Sequence, residues 1–293
     1  MPSEGHHLVQ DLLDQLDLEA LEQRLFRGSS RDLGGKSVFG GQVAGQALVA
    51  ATRTVDPGQL AHSLHGYFLR PGDMAKPIVY EVDAIRDGRS FATRRVQAIQ
   101  HGRPIFSMLA SFHVAETGYT HQMDMPDVPG PEELASHDEL RHAWVGELDR
   151  VPDSLEEAVG REIAIDMRPV EPWNLLAPDK RAPAQYVWFR AKDAVPKDQA
   201  VHRAVLTYAS DFNLLTTSQM PHGVSFFTPG MQMASIDHAL WFHGDLEVDD
   251  WLLYCMDSPG AQDSRGLSRG LIFARDGRLV ASVAQEGLIR QRD

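Results

Sequence analysis

Residues 37–55 read SVFGGQVAGQALVAATRTV. The stretch reads as a helix, yet Gly40, Gly41 and Gly45 lie within it. An interior glycine costs a helix about 1 kcal/mol relative to alanine. A helix that carries three of them is expected to need a close neighbour, such as a sheet wrapped around it. Downstream the pattern changes to strands at 61–70, 76–87, 91–100 and 104–114. Pro71-Gly72-Asp73, Asp87-Gly88-Arg89 and His101-Gly102-Arg103 separate these runs and read as turns. A helix followed by an antiparallel meander is an α+β pattern, not a parallel βαβ one.

The same order recurs in the second half. Residues 197–219 are helical in pattern, and strand-like runs follow at 233–243, 250–257, 265–275 and 278–289. Arg70-Pro71-Gly72-Asp73 resembles His243-Gly244-Asp245, and Gly102-Arg103 matches Gly277-Arg278, at offsets of 173 and 175 residues. Pairwise identity is weak, so the order and spacing of elements carry the reading. An antiparallel sheet curled around a central helix, built twice, predicts two fused hotdog domains. Leu8, Leu12, Leu13, Leu16 and Leu18 place a short helix within 8–25. Residues 115–160 are Pro-rich and acidic at their start and read as a linker with short helical pieces. Further strands are expected at 162–169 and 185–191. The expected organisation is an N-terminal hotdog at 1–120, a linker at 121–160, and a C-terminal hotdog at 161–293 that carries the catalytic residues.

Composition narrows the function. The chain has 293 residues and a formal net charge of −13. A field of that sign repels nucleic acid and anionic membrane, so neither is an expected partner. No apolar run approaches the roughly 18–20 residues of a membrane span. The N-terminus lacks the layout of a signal peptide, and the C-terminus is not a peroxisomal address; a cytoplasmic location is expected. The single cysteine, Cys255, allows no internal disulfide and no cysteine-based metal site.

Several motifs point to chemistry and are set aside. Gly266-Leu-Ser-Arg-Gly270 matches G-x-S-x-G, but a nucleophile elbow needs strand, tight turn, then helix. Here a strand continues through Leu271-Ile272-Phe273, so Ser268 is not expected to be a nucleophile. Ser235, Asp237 and His238 suggest a hydrolase triad, yet strand alternation puts 235 and 237 on one face and 238 on the other. His62 and His65 lack a third ligand, and a rim role is expected rather than a metal. Gly40-Gly41-Gln42 lacks the strand–glycine loop–helix unit of a dinucleotide site. No metal and no cofactor are expected. What remains is polar residues in apolar settings. Asp211 lies in YASDFNLL, where a carboxylate is costly unless paired or used; helix capping is the structural alternative. Gln285 lies in LVASVAQEG, where a structural amide is equally open. Ser235 is uninformative alone.

Long blocks of the chain, in order, resemble the acyl-CoA thioesterase II (TesB-type) family. They are LFRGSSRDLGG, VFGGQVAGQAL, HSLHGYFLRPGD and RDGRSFATRRVQAIQHGRPIF in the first half. In the second they are YASDFNLL, IDHALWFH, WLLY and LVASVAQEG. The resemblance implies two fused hotdogs and hydrolysis of fatty acyl-CoA by an Asp, a hydroxyl and a Gln. Carried to this sequence these are Asp211, Ser235 and Gln285. Bacterial members often have Thr where Ser235 stands; serine keeps the donor and acceptor but loses the methyl that fixes its rotamer. Ala110 falls at the first-half counterpart of Gln285, so one site per chain is expected. Arg265 and Arg269 are candidates for holding the anionic coenzyme A. A homo-oligomer is expected from exposed sheet edges. Two alternatives stay open: a hotdog hydratase or dehydratase using His238 and Asp237, and a non-catalytic acyl-CoA-binding hotdog.

Overall fold

A computed structural model of the protein describes residues 4–147 and 161–292. The last part of the expected linker, 148–160, lies outside the described residues. Helix α1 (Glu4–Leu16) is followed by β1 (Glu19–Glu22), β2 (Leu25–Gly28) and helix α2 (Gly40–Thr52). Then come β3 (Gln59–Phe68), β4 (Ile78–Asp87), β5 (Phe91–Gln100) and β6 (Arg103–Val114). Helix α3 (His137–Gly146) begins with a capping box in which Ser136 and Glu139 satisfy each other's backbone N–H groups. The second half holds β7 (Ile165–Pro169), β8 (Ala184–Ala191), α4 (Gln199–Ala209) and α5 (Leu214–Thr217). It ends with β9 (Met231–Ser235), β10 (Asp237–Phe242), β11 (Leu252–Gln262), β12 (Arg265–Ala274) and β13 (Leu279–Gln291).

These strands form one 13-stranded sheet in the order β1-β2-β4-β5-β6-β3-β10-β13-β12-β11-β8-β7, with β9 also paired to β13. Every described pair is antiparallel. The order reads alike outward from the seam where Ser63–Tyr67 of β3 meets Asp237–Trp241 of β10. On each side a helix packs on the concave face. Tight turns with positive φ close two hairpins: His101-Gly102 joins β5 to β6, and Asp263-Ser264 joins β11 to β12. Positive φ at such turn residues gives a local twist that matches the right-handed twist of the strands they connect.

Gly40 of α2 lies against Phe68 of the sheet, but Gly41 and Gly45 meet a helix. A Cβ on Gly41 would stand 2.3 Å from the Tyr208 carbonyl, and one on Gly45 would stand 3.2 Å from that of Ala204. Glycines one turn apart thus let α2 and α4 lie backbone to backbone across the two halves. For these two this corrects the expectation of a wrapped sheet as the close neighbour.

Three other expectations change. The first helix stops at Leu16, and residues 19–28 form a hairpin that pairs with β4; tertiary pairing outweighs the helical propensity of EALEQRL. The helix expected over 197–219 breaks after Ala209, because Asn213 takes a left-handed φ of 63°. The strand expected over 233–243 is split at Ile236. Ser235 pairs with Gly287, whereas Ala239 pairs with Ala284, so the register slips by one residue. Such a bulge reverses the face on which the following side chains emerge.

Candidate active site

Both breaks lie at the site, and each aims a side chain that regular structure would misdirect. The bulge at Ile236 is fixed from both sides: its N–H donates to the Glu286 carbonyl, and its carbonyl accepts from Phe68 N–H. Ser235 and His238 consequently share the inner face, while Asp237 turns outward. This corrects the simple alternation that put 235 and 238 on opposite faces. Asp237 accepts from the Glu286 backbone N–H at 2.7 Å and lies 2.9 Å from His65 Nε2. His238 is fully buried, and its Nε2 sits 2.8 Å from Ser210 Oγ. Burial pushes the imidazole pKa down, so it stays neutral. No Asp237–His238 pair therefore forms, which removes the feature that kept the hydratase reading open.

The break after α4 places Asp211. Its helix ends in a residue tied on three sides. Ser210 Oγ donates to the Thr207 carbonyl at 3.0 Å and contacts His238, and the Ser210 carbonyl accepts from Tyr254 Oη at 2.9 Å. Phe212 stacks on Phe39 at 4.5 Å, and Tyr208 meets Phe39 edge-on at 5.3 Å. Asp211 is held between these anchors, half-buried, outside the helix rather than within it.

Its two oxygens have different partners. Gln285 Nε2 donates to Oδ1 at 2.6 Å, and Gly41 N–H donates to Oδ2 at 2.8 Å. The second contact caps helix α2, whose N-cap residue Phe39 makes no side-chain cap of its own. The structural alternative of helix capping is thus also realised, but on the helix of the other half. A negative charge there is favoured by the positive end of the α2 dipole. A Cβ on Gly40 would stand 2.8 Å from Oδ2, so glycine is required for this approach.

Gln285 closes the group. Its Nε2 also donates to Ser235 Oγ at 2.9 Å. The amide is 1% exposed, on β13 of the inner face. Asp accepts only, which fixes the amide nitrogen toward Asp211. The structure therefore brings Asp211, Ser235 and Gln285 together from three elements.

Arg265 and Arg269 are not brought there. They alternate with the inner-facing Gly266 and Ser268 on β12 and emerge on the outer face. Arg265 Nε bonds Glu286 at 2.9 Å, and Arg269 grips Asp257 with two bonds of 2.9 and 2.7 Å. They are not among the groups around Asp211, and sequence proximity to the last hairpin did not reveal which face they take. The reading missed Gly41 as the backbone donor to Asp211. Gly40-Gly41 is visible in the sequence, but nothing local marks it as the partner of a carboxylate 170 residues away. It also missed Ser210, His238 and Tyr254 as anchors, because only the break after Ala209 gives them that role.

Comparison with known proteins places this fold among thioester hydrolases. The family model described as acyl-CoA thioesterase matches residues 159–288, and the acyl-CoA thioesterase N-terminal domain matches 29–113. Acyl-CoA thioesterase 2 of Haemophilus influenzae is 39% identical, covering 97% of this chain and 98% of that one. Acyl-coenzyme A thioesterase 8 of Homo sapiens is 40% identical, covering 94% and 87%. The crystal structure of acyl-CoA thioesterase II TesB2 from Mycobacterium marinum superposes with a TM-score of 0.78 at 44% identity, covering 96% and 99%. A hot dog protein from Alicyclobacillus acidocaldarius shares the fold with a TM-score of 0.76 at 18% identity. The chain belongs to the acyl-CoA thioesterase family, in its thioesterase II, TesB-type branch.

Proposed function

We propose that this enzyme hydrolyses fatty acyl-CoA to free fatty acid and coenzyme A through direct attack by water, with Asp211 as general base. The observation that carries the reading is one amide: Gln285 Nε2 reaches both Asp211 Oδ1 and Ser235 Oγ. The clamp sets carboxylate and hydroxyl at a fixed separation, where one water molecule fits between acceptor and donor. The water oxygen attacks the thioester carbonyl carbon while its proton passes to Asp211. Ser235 keeps its own proton for the water or the developing oxyanion. The C–S bond then breaks. A thiolate whose thiol has a pKa near 8.5 leaves without strong acid assistance. Gly41 N–H is committed to Asp211 and is not the oxyanion donor.

A serine nucleophile is disfavoured because the bond received by Ser235 Oγ comes from an amide that gives hydrogen and takes none. Single turnover in ¹⁸O-water should place the label in the fatty acid with no acyl group on the protein. A trapped acyl-Ser235 or acyl-Asp211 would overturn direct attack. A non-catalytic acyl-CoA binder would hold its ligand tightly and release no thiol, so the same assay separates that alternative.

We read the two halves as fused hotdogs, at 1–120 and 161–293, joined by 121–160. One site per chain is supported by the first-half counterpart. Ala110 faces Arg94 across β5–β6, where Gln285 faces Ser268 across β12–β13. Buried Arg94 fills that position, bonding the Thr54 hydroxyl at 2.8 Å and its carbonyl at 2.7 Å. The sheet ends at β1 and β7, whose outer edges are open to pairing with further copies. Among the described residues no helix is long and apolar enough to cross a membrane. A cytoplasmic homo-oligomer is the proposed working form.

A further inference from the structure

We infer that Ser268 is a positioning residue for the reaction, holding the Gln285 amide by donating its hydroxyl to Oε1. The inference rests on the proposed role of Gln285. Both amide hydrogens of Gln285 are used, one on Asp211 and one on Ser235. Its Oε1 is buried without a hydrogen-bond partner among the described residues, and so is Ser268 Oγ. A buried polar atom left unpaired costs about 1–3 kcal/mol. These two orphans are complementary, one an acceptor and one a donor. They are also neighbours: Ser268 and Gln285 are register partners across β12 and β13, on the inner face, at 0% and 1% exposure. Directly opposed residues hold their Cβ atoms about 4.5–5.5 Å apart. A rotation about the serine Cα–Cβ bond, or one bridging water, then joins them.

The other polar neighbour on the inner face does not serve. His238 Nδ1 is also without a partner. With the Ser210 proton on the Thr207 carbonyl, His238 Nε2 carries the hydrogen toward Ser210 Oγ. Its Nδ1 is then bare and accepts rather than donates. Ser268 is the donor that Oε1 lacks. The bond matters because an amide free to turn over would present its oxygen to Asp211 and repel the carboxylate. The G-x-S-x-G match thus marks a serine that acts through Gln285, not a nucleophile.

The test compares Ser268→Ala, Ser268→Cys, Gln285→Ala and the double variant Ser268→Ala/Gln285→Ala by steady-state kinetics and thermal melting. Cysteine keeps the shape with a much weaker donor, so it guards against a packing defect of alanine. Both Ser268 variants should lower kcat about 5- to 10-fold, leave KM within about twofold, and melt only a few degrees below the parent, as expected for one lost buried hydrogen bond. In the double variant, removing Ser268 should add nothing to the loss from Gln285→Ala. Parent-like kcat in either Ser268 variant, or losses that multiply in the double variant, would overturn the positioning role. Full activity of Gln285→Ala would instead sink the catalytic reading on which it depends.

Discussion

Asp211→Asn is expected to fold like the parent and lose about 10²–10⁴-fold in kcat, the usual loss when a positioned base is removed. The fold should survive because asparagine also caps helices well. Its carbonyl oxygen can take the Gly41 N–H at the position of Oδ2. The amide that replaces Oδ1 then faces the Gln285 Nε2 and cannot accept from it or from water. Acyl-CoA binding should therefore change little while turnover collapses. Free-thiol release with matched melting curves checks both halves of this statement. Near-parental turnover would remove Asp211 from the mechanism, and a large fall in melting temperature would mean that capping is its main role.

The second large effect is on stability. Gly41→Ala should destabilise the protein by about 1–3 kcal/mol, the range for overpacking a filled contact. In an open helix the same change gains about 0.5–1 kcal/mol. Here the added methyl would lie 2.3 Å from the Tyr208 carbonyl and 2.6 Å from Phe39. The carbonyl belongs to a packed helix and cannot swing aside, so strain outweighs propensity. Parting α2 from α4 also draws the Gly41 N–H away from Asp211, and kcat should fall with stability. A variant that melts later than the parent would show that the two helices have slack between them.

The pattern of what could be read in advance has a physical basis. Element order and the α+β class were legible because hydrophobic period and turn residues are local signals; the meander was not, since β3 pairs with β6 and β10 with β13, which are long-range choices. Asp211 and Gln285 were legible as polar residues in apolar runs; Ser235 was uninformative alone, and the family resemblance gave all three their weight. Their mutual contacts were not legible. They depend on two irregularities, the left-handed Asn213 and the slip at Ile236, and neither leaves a mark in a period of 2 or 3.6. Asparagine tolerates the left-handed region, but YASDFNLL otherwise continues a helix. The face taken by Arg265 and Arg269 was equally hidden, since it follows from register across three strands.

The Asp211–Gly41 bond ties the two halves of the chain together at the site. Asp211, Ser235 and Gln285, the proposed reacting group, all come from the later half of the chain, yet Asp211 also accepts from a main-chain amide of the earlier one. Arg94 has meanwhile occupied the matching niche of that earlier half. On the proposed reading of the site the two halves are mutually dependent: cut apart, the later one would lose the main-chain donor that steadies its carboxylate.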